Sequence, residues 1–341
     1  MRFARALEDW YRRERRELPW RATRDPYRIL VSEVMLQQTR AQAVIPYYQR
    51  FLERFPDVQA LAEAGEADVL ALWSGLGYYS RARNLQHAAR AIVAAGEFPR
   101  QFDEIRELRG VGPYTAAAVA SIAFGSAHAV VDGNVLRVIS RVCGDGADIQ
   151  SSKTRARFQQ IANAWLDRRD PGLFNQAMME LGATICVPRM PRCPACPVAS
   201  FCEARQMHRQ HELPVKGGKR AAERINLQVV ILAKKGSVLL RRRAATESLM
   251  AGFWELPTPE DVPGWCPGLS LGSFRHTITH HHYTVDVLTG SLPVAPRGFR
   301  WRSTQALTGI PLTTIARKAL QLIGVAASSA HAAPRVTVSV G

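Results

Sequence analysis

The pattern of apolar residues changes once along this chain, and that change limits the folds open to it. Through the first two hundred residues, apolar side chains recur with the spacing of amphipathic helices, in segments broken by glycine and proline. Further on, residues 225–243 indicate two strands around a Lys235-Gly236 turn, residues 275–290 another strand region, and residues 313–325 a closing helix. The sequence therefore predicts an all-α part followed by a smaller α/β part.

A change of composition marks where the helical pattern ends. Residues 206–224 are rich in charge and contain a proline and a glycine pair, which is typical of linkers. The last residues, from about Ala326, are small and polar, which is typical of a frayed chain end. The expected organisation is a helical domain at 1–206, a linker at 207–224, an α/β domain at 225–325 and a flexible tail at 326–341.

The net charge indicates the class of partner. The chain has 45 Lys and Arg residues against 29 Asp and Glu, a formal net charge of +16. Such a surface is typical of proteins that bind polyanions, above all nucleic acids, although it also favours solubility alone. No apolar run approaches the roughly 20 residues that cross a bilayer, and the first twenty residues are unlike a targeting peptide. We expect a cytoplasmic protein without a membrane partner.

Four of the six cysteines lie together, in "CVPRMPRCPACPVASFC". Cys186, Cys193, Cys196 and Cys202 are separated by six, two and five residues, a spacing typical of metal ligands rather than of disulfides in a cytoplasmic protein. Four thiolates suit either zinc or an iron-sulfur cluster, and the spacing alone does not choose between them. The sequence therefore predicts a metal centre in this segment.

The stretch "DPYRILVSEVMLQQTR" places one acid among apolar residues of a predicted helix. Asp25 before Pro26 is a typical helix start, which puts Glu33 about two turns into the helix. Burial among aliphatic neighbours would raise the pKa of the Glu33 carboxyl group. Gln37, one turn further along, would share its face of the helix. The alternative is a glutamate on the solvated side of the helix.

A glycine pair separates two further helical stretches, in "LRGVGPYTAAAVAS". Gly110 and Gly112 follow the helical residues 102–108, and Pro113 begins another helix. The pattern predicts a helix, a tight turn and a helix, with free N–H groups at the second helix that suit a phosphate of DNA. An ordinary turn between helices has the same glycine spacing, so this motif alone does not decide.

Taken together, these segments resemble the MutY-type adenine DNA glycosylases, in the endonuclease III-like branch of base-excision enzymes. The resemblance covers most of residues 7–205 and rests on "LPWR", "DPYRILVSEVMLQQTR", "GLGYYSRARNL", "GVGPYTAAAV", "VVDGNVLRVISR" and "FNQAMMELGATIC". It implies two helical subdomains, a 4Fe-4S cluster on the four cysteines, and a monomer. The implied reaction is hydrolysis that removes adenine mispaired with 8-oxoguanine or guanine in double-stranded DNA.

The resemblance also implies roles for individual residues. Adenine leaves readily only after a ring nitrogen is protonated, so the enzyme needs an acid still protonated near neutral pH. Glu33 matches the family's proton donor to adenine N7, and Asp132 matches the carboxylate that stabilises the positively charged sugar. Tyr114 and Asn134 match positions that orient the acid, the sugar or the water, and Arg21 matches a contact to the flipped adenine. Asp132 would also cap the helix that follows it.

Other matching positions would contact the rest of the DNA. Adenine has to leave the base stack, so a side chain must fill the gap, and the base opposite must be read. Gly110 and Gly112 match the family's hairpin. The segments that probe the opposite base and penetrate the duplex are matched by Gln37, Gln38, Thr39, Leu76 and Tyr78.

Tyr114 separates two chemistries within the branch. Members that also cut the DNA strand carry a lysine at this position, whose amine attacks the sugar as a Schiff-base nucleophile. A tyrosine cannot do this. The sequence therefore predicts a monofunctional glycosylase that leaves an abasic site with an intact backbone.

The second part of the chain resembles a Nudix-like lesion-recognition domain. "AGFWELP", residues 251–257, is similar to the start of a Nudix box, but the acidic helix that holds magnesium in Nudix hydrolases does not follow it. We expect recognition of 8-oxoguanine rather than hydrolysis of a diphosphate. The family's lesion-reading loop typically reads Phe-Ser-His, where this chain has Ile278, Thr279 and His280, which weakens the match.

Two other functions remain open at this point. A pyrimidine-damage glycosylase with lyase action would need the missing lysine. An iron-sulfur protein that only binds DNA would not need Glu33 and Asp132 in their motifs. Adenine release from defined mispaired duplexes separates the three.

Overall fold

The computed structural model describes residues 2–217, 223–244, 246–247, 250–278 and 281–325. The chain divides into two compact units. The first unit comprises Met1–Ala64 and Arg83–Gly218, and the second comprises Gly65–Ala82 and Lys219–Gly341.

The regular structure of the first unit is helical. The helices of both units, in chain order, are α1 (Arg2–Glu14), α2 (Pro26–Leu36), α3 (Ala41–Arg54), α4 (Val58–Glu63), α5 (Glu66–Trp73), α6 (Ser80–Ala95), α7 (Phe102–Glu107), α8 (Pro113–Phe124), α9 (Gly133–Val142), α10 (Ser152–Trp165), α11 (Pro171–Thr184), α12 (Glu203–Gln206) and α13 (Thr314–Gln321). The second unit contains α5, the start of α6 and α13. The all-α prediction for the first part of the chain is confirmed.

Two helix starts that matter for the site follow local chemistry. The Asp25 side chain accepts hydrogen bonds from the first backbone N–H groups of α2, with Pro26 at its first position, as predicted. Asp132 caps α9 in the same way. Each such cap stabilises a helix by about 1 kcal/mol, so both carboxylates fix where their helices begin.

The core of the first unit lies between α1, α9, α10 and α11, around fully buried side chains such as Leu7, Tyr11, Phe158 and Phe174. Helix α8 packs against both α2 and α11. Small side chains allow this, because Ala116, Ala118 and Ala120 on α8 are completely buried. The packing brings α2, α8, α9 and α11 together around one cavity.

The predicted helix, turn and helix are present as α7, residues 108–112 and α8. Gly110 has a φ of 81°, and a Cβ atom there would lie 2.5 Å from the Cβ of Asn84. Only glycine avoids both problems. Gly112 caps α8 just before Pro113.

The second unit contains a mixed sheet. Its strands are β1 (Glu223–Lys234), β2 (Ser237–Arg242), β3 (Trp254–Glu255), β4 (Cys266–Ile278), β5 (His281–Ser291) and β6 (Phe299–Ser303). The order is β3-β2-β1-β5-β4, with β6 paired to β2 and with β1 and β5 parallel. The predicted strand pair around Lys235-Gly236 and the closing helix α13 are confirmed. The predicted strand region at 275–290 is confirmed in its described residues, where the end of β4 pairs with β5 in antiparallel orientation.

Helix α13 covers one face of this sheet. Val229, Val285 and Val287 point to the same cluster as Ala319 and Leu320 of α13. The segment 65–82 belongs to the same unit: Tyr79 packs on Phe253 with ring centroids 4.0 Å apart, and Arg317 Nη2 donates to Ser74 Oγ at 2.6 Å. None of the helices in the described residues is long and apolar enough to cross a membrane.

Candidate active site

A cavity of about 510 Å³ opens in the first unit. Its walls come from the segment after α1, from α2 and the turn after it, and from α8, α9 and α11. The five residues predicted to carry the reaction or hold adenine all line it, namely Arg21, Glu33, Tyr114, Asp132 and Asn134. The structure therefore brings together residues that are up to 113 positions apart.

Glu33 is the buried acid of this cavity. Its side chain is almost inaccessible to water, at 4% exposure, and its Oε2 accepts a hydrogen bond of 2.8 Å from the Tyr114 hydroxyl. Burial raises the pKa of Glu33 to about 7, against the hydrogen bond from Tyr114, which lowers it. A carboxyl group with this pKa holds its proton for part of the time at neutral pH.

Tyr114 supports this acid from the first turn of α8. Burial raises the pKa of its hydroxyl well above the usual value, and the neighbouring Glu33 charge adds to the effect. The tyrosine therefore keeps its proton and acts as a donor. Its oxygen also lies 3.3 Å from the sulfur of Met179.

Asp132 is held rigidly at the start of α9. Its Oδ1 accepts from the backbone N–H groups of Asn134 at 2.9 Å and Val135 at 2.7 Å, and its Oδ2 accepts from Asn134 Nδ2 at 2.8 Å. Burial raises its pKa, opposed by these hydrogen bonds. Since all three partners are donors, the arrangement suits the ionised form.

Arg137 connects this carboxylate to the cysteine segment. Its Nη2 donates to Asn134 Oδ1 at 2.9 Å and to the carbonyl oxygen of Gly182 at 2.8 Å, while its Nε donates to the carbonyl of Cys186 at 2.7 Å. One side chain thus ties the start of α9, the end of α11 and the first cysteine together.

Two residues of the cavity, Arg16 and Glu180, were not predicted. Glu180 is completely buried and accepts from Arg16 Nη2 and Arg21 Nη2, each at 2.7 Å. Burial raises the pKa of Glu180, but the hydrogen bonds from the two arginines outweigh it and bring the pKa to about 2. This carboxylate stays ionised and fixes the direction of Arg21. The sequence signal for a buried Glu180 was its place among the apolar residues of α11, directly before Leu181.

The predicted readers of the opposite base start beside this cavity. Helix α2 ends at Leu36, and Gln37, expected one turn beyond Glu33 on the same face, is its C-cap residue with an extended ψ of 115°. Gln37 Nε2 donates to Thr115 Oγ1 at 3.3 Å, and Thr115 follows Tyr114, the partner of Glu33. Gln38 has a positive φ of 58°, so the chain turns sharply there and Thr39 reaches the cavity wall.

Leu76 and Tyr78 lie in the second unit, in the loop between α5 and α6. Tyr78 is 44% exposed and has a positive φ of 47°, whereas Leu76 is mostly buried. Arg81 donates to the carbonyl oxygens of Leu76 at 3.3 Å and Gly77 at 3.2 Å, and lies 5.5 Å from the Tyr78 ring centre. The loop is therefore held in a shape that presents an aromatic ring to solvent.

The four cysteines line one cavity, which Arg141 also borders. Arg141 Nη1 lies 3.3 Å from the Cys186 sulfur, and the Cys202 sulfur lies 3.4 Å from the Arg141 carbonyl oxygen. Among the described residues, no group of three or more His, Cys, Asp or Glu side chains is placed to hold a single metal ion. A single zinc would need all four sulfurs within about 2.3 Å of it, whereas a cluster binds each cysteine to a separate iron. The four cysteines predicted as metal ligands thus share one cavity.

Of the three predicted lesion readers, the structure describes Ile278. Ile278 is the last residue of β4 and borders a cavity of about 280 Å³ in the second unit. Thr279 and His280 lie outside the described residues. Residues 259–261, after the "AGFWELP" segment, form one turn of 3-10 helix.

Comparisons with known proteins agree with these observations. The profile of the HhH-GPD superfamily of base excision DNA repair proteins matches residues 31–164, and a NUDIX domain profile matches residues 228–322. The adenine DNA glycosylase of Homo sapiens is 34% identical, over an alignment that covers 94% of this chain and 73% of that protein. The adenine DNA glycosylase of Buchnera aphidicola subsp. Acyrthosiphon pisum is 33% identical, with 87% and 89% covered.

A solved structure shows the same helical architecture. The structure of a thermostable thymine-DNA glycosylase is 31% identical, with a TM-score of 0.55, and the match covers 60% of this chain and 95% of the other. The predicted fold, a helical glycosylase domain followed by a Nudix-like domain, is confirmed.

Proposed function

The chain belongs to the adenine DNA glycosylase family, and on that premise we propose that it excises adenine paired with 8-oxoguanine or guanine in double-stranded DNA. In this proposal it acts as a monomer, hydrolyses the bond between adenine and deoxyribose, and leaves the DNA backbone intact. The supporting observation is the buried Glu33–Tyr114 pair, which lines the same cavity as the fixed carboxylate Asp132.

Glu33 is the proposed general acid. With a pKa of about 7 it can donate a proton to adenine N7 near neutral pH, which turns the base into a better leaving group. Tyr114 holds the acid through its hydroxyl. The two groups differ in role because the tyrosine keeps its own proton.

Asp132 is the proposed partner of the sugar. Loss of adenine leaves positive charge on the sugar, and a carboxylate fixed before the reaction stabilises that charge without reorganising. The three hydrogen bonds from Asn134 and Val135 supply this rigidity. Asn134 is the proposed residue that orients the sugar or the attacking water.

Arg21 is the proposed contact to the flipped adenine. Its guanidinium is directed by the ionised Glu180, so its position does not depend on the substrate. Base-flipping enzymes read the extruded base by hydrogen bonds of this kind. Arg16 contributes through the same carboxylate.

Strand cleavage is not expected. A lyase needs an amine at the position of Tyr114, and none of the described residues that line the cavity is a lysine. The opposite base and the duplex would be contacted by Gln37, Gln38, Thr39, Leu76 and Tyr78, the hairpin glycines Gly110 and Gly112, and the lesion-reading Ile278, Thr279 and His280.

The proposed cofactor is a 4Fe-4S cluster on Cys186, Cys193, Cys196 and Cys202. Bound there, the cluster would cross-link the segment between α11 and α12 and so stabilise its fold. The observation in favour is the single cavity that all four cysteines line. The proposed domain boundaries remain residues 1–206 for the helical domain and 225–325 for the Nudix-like domain.

Single-turnover assays test this function. Duplexes with adenine opposite 8-oxoguanine, guanine or thymine, and duplexes with oxidised pyrimidines, are incubated with excess enzyme and then treated with alkali. We expect adenine release from the first two only, and no strand breaks before alkali. Glu33→Gln should abolish release while binding persists, and the exposed Glu97→Gln should leave release unchanged. The proposal is wrong if the 8-oxoguanine duplex loses no adenine.

A further inference from the structure

One face of the sheet in the second unit carries two rows of exposed polar side chains. Arg224 of β1 pairs with His282 of β5, which pairs with Thr277 of β4. Two residues further along, Thr284 of β5 pairs with Arg275 of β4. Residues directly opposite each other share a face of the sheet, and so do residues two apart along a strand. These five exposed side chains form what we call the basic strand face.

The opposite face of the same strands is occupied. Leu227 and Tyr283 alternate with these residues and pack towards the cluster that includes α13. The basic strand face is therefore the side of β1, β5 and β4 turned away from α13. Its polar residues are accessible over two successive rows.

The charges of the basic strand face are not neutralised within the described residues. Among the described residues, no carboxylate lies within ion-pair distance of Arg224 or Arg275. The nearest acid in sequence, Glu223, points to the other face and pairs with His281 at 3.0 Å. Asp286 brings one carboxylate to the row beyond Thr284. Two arginine guanidiniums thus remain available to an external anion.

The surface here is concave as well as basic. A cavity of about 280 Å³ lies at this end of the strands, lined by Arg224, Arg275, His276, Thr277, His282, Tyr283 and Thr284. Arginine side chains and threonine hydroxyls are the groups that proteins most often present to phosphate oxygens. An extended polyanion could follow the two rows. A phosphate backbone is therefore the ligand that this chemistry fits.

The position of the face narrows the choice of polyanion. In sequence, Thr277 and His282 flank Thr279 and His280, the proposed lesion readers. Residues 207–341 also hold 17 Lys and Arg against 7 Asp and Glu. A DNA duplex whose damaged base reaches the lesion readers would bring its backbone to the adjacent strand ends.

We propose that the basic strand face binds backbone phosphates of the DNA duplex, beside the base that Thr279 and His280 read. Arg224 and Arg275 each contact a phosphate, and Thr277, Thr284 and His282 add hydrogen bonds. The contact is independent of sequence and adds affinity rather than specificity. It rests on the proposed function in that the substrate is duplex DNA and that Thr279 and His280 are the proposed lesion readers.

The double variant Arg224→Gln/Arg275→Gln tests this site. Its matched control is Arg297→Gln/Arg300→Gln, which removes two exposed arginines from β6 and the turn before it, in the same unit. Affinity for a duplex with adenine opposite 8-oxoguanine, and for an undamaged duplex, is measured by fluorescence anisotropy from 50 to 300 mM salt. Melting temperatures confirm that both variants are folded.

We expect the test variant to bind both duplexes about tenfold more weakly near 150 mM salt, and the slope of log K against log salt to fall by about 1.8, for two phosphates. The control should change either quantity far less. Equal losses in both variants would mean that only total charge matters, and an unchanged slope would mean that no phosphate is bound; either result overturns the proposal.

The experiment also separates this site from the proposed function. Excision is measured with enzyme in saturating excess, where weaker binding does not limit the rate, and the test variant should then release adenine at the parental rate. A parental protein that shows the slope change on mutation but releases no adenine would keep the site and remove the function. Adenine release by the parental protein, with no change of slope in the test variant, would keep the function and remove the site.

Discussion

At the scale of single residues, the proton on the proposed acid Glu33 should set the pH range over which adenine is released. Its pKa of about 7 means that the proton is bound below this pH and lost above it. We expect the single-turnover rate of adenine release to fall about tenfold per pH unit on the alkaline side, because only the protonated acid donates. A pH-rate profile with saturating enzyme measures this. A profile that stays flat to pH 9 would contradict the assignment.

Tyr114 should set where that alkaline limb lies. Its hydrogen bond stabilises the Glu33 carboxylate and so lowers the pKa of the acid, against the larger effect of burial. In Tyr114→Phe the pKa of Glu33 should therefore rise and the alkaline limb move to higher pH, even if the maximal rate falls. Duplex affinity serves as the control and should be unchanged. A limb that moves to lower pH would show that the tyrosine does not donate to Glu33.

The buried acid should also reduce stability. The pKa of Glu33 is raised from 4.5 in the unfolded chain to about 7 in the fold, so the folded protein loses stability as pH rises between these values. The deficit above pH 7 amounts to about 3 kcal/mol at most. The glutamine of Glu33→Gln cannot ionise, so this variant should not lose stability as the pH rises. Its unfolding free energy, relative to that of the parental protein, should increase between pH 5 and pH 8 in urea titrations. A difference that is independent of pH would argue against a titrating Glu33.

At the scale of elements, the approach of α11 to α9 positions the Asp132 carboxylate. A Cβ atom on Gly182 of α11 would lie 2.6 Å from the Cβ of Asn134 and 3.1 Å from its carbonyl oxygen. Alanine is intrinsically better than glycine in a helix by about 1 kcal/mol, so a loss on substitution must come from this contact.

We expect Gly182→Ala to displace the start of α9, to lower the rate of adenine release at least tenfold, and to lower the melting temperature by several degrees. The control is Gly133→Ala at the first position of α9, where a Cβ atom would meet nothing within 4 Å. It should not lower the melting temperature. If Gly182→Ala excises adenine normally, the packing of these two helices tolerates more than the structure indicates.

Local chemistry accounts for the elements that sequence predicted well. Asp25 with Pro26, Asp132 and the glycine turn at residue 110 each fix their own backbone, so neighbouring residues were enough to identify them. The end of α2 has no such signal. Neither glycine nor proline stops the helix at Leu36, so the sequence did not indicate that Gln37 is its C-cap residue.

At the scale of the whole molecule, the cavity depends on contacts between distant residues. Nothing in the spacing of Glu33, Tyr114 and Asp132 shows that they line one cavity, and only the family resemblance suggested it. Glu180 was missed for the same reason, since its partners Arg16 and Arg21 are about 160 positions away. Sequence patterns report local preference, whereas the site is made by the packing of α2, α8, α9 and α11.

The two units should also differ in chemistry, with catalysis confined to the first. A Nudix hydrolase holds magnesium on a cluster of carboxylates along a helix. Here residues 259–261 form a single 3-10 turn, Asp261 accepts from the Thr258 backbone and hydroxyl, and Glu255 is paired with Arg241 and Arg243. These acids are already engaged and are not arranged along one helix.

We therefore expect no hydrolysis of 8-oxo-dGTP by the full chain with magnesium, measured as release of phosphate or pyrophosphate over several hours. The same preparation should excise adenine, and an active Nudix hydrolase should cleave the nucleotide in parallel. Magnesium-dependent release that rises with protein concentration, and that Glu255→Gln removes, would contradict a purely recognising role. Such a result would also mean that the arginine pairs of Glu255 open to admit the metal, because ion pairs and metal compete for the same carboxylate oxygens.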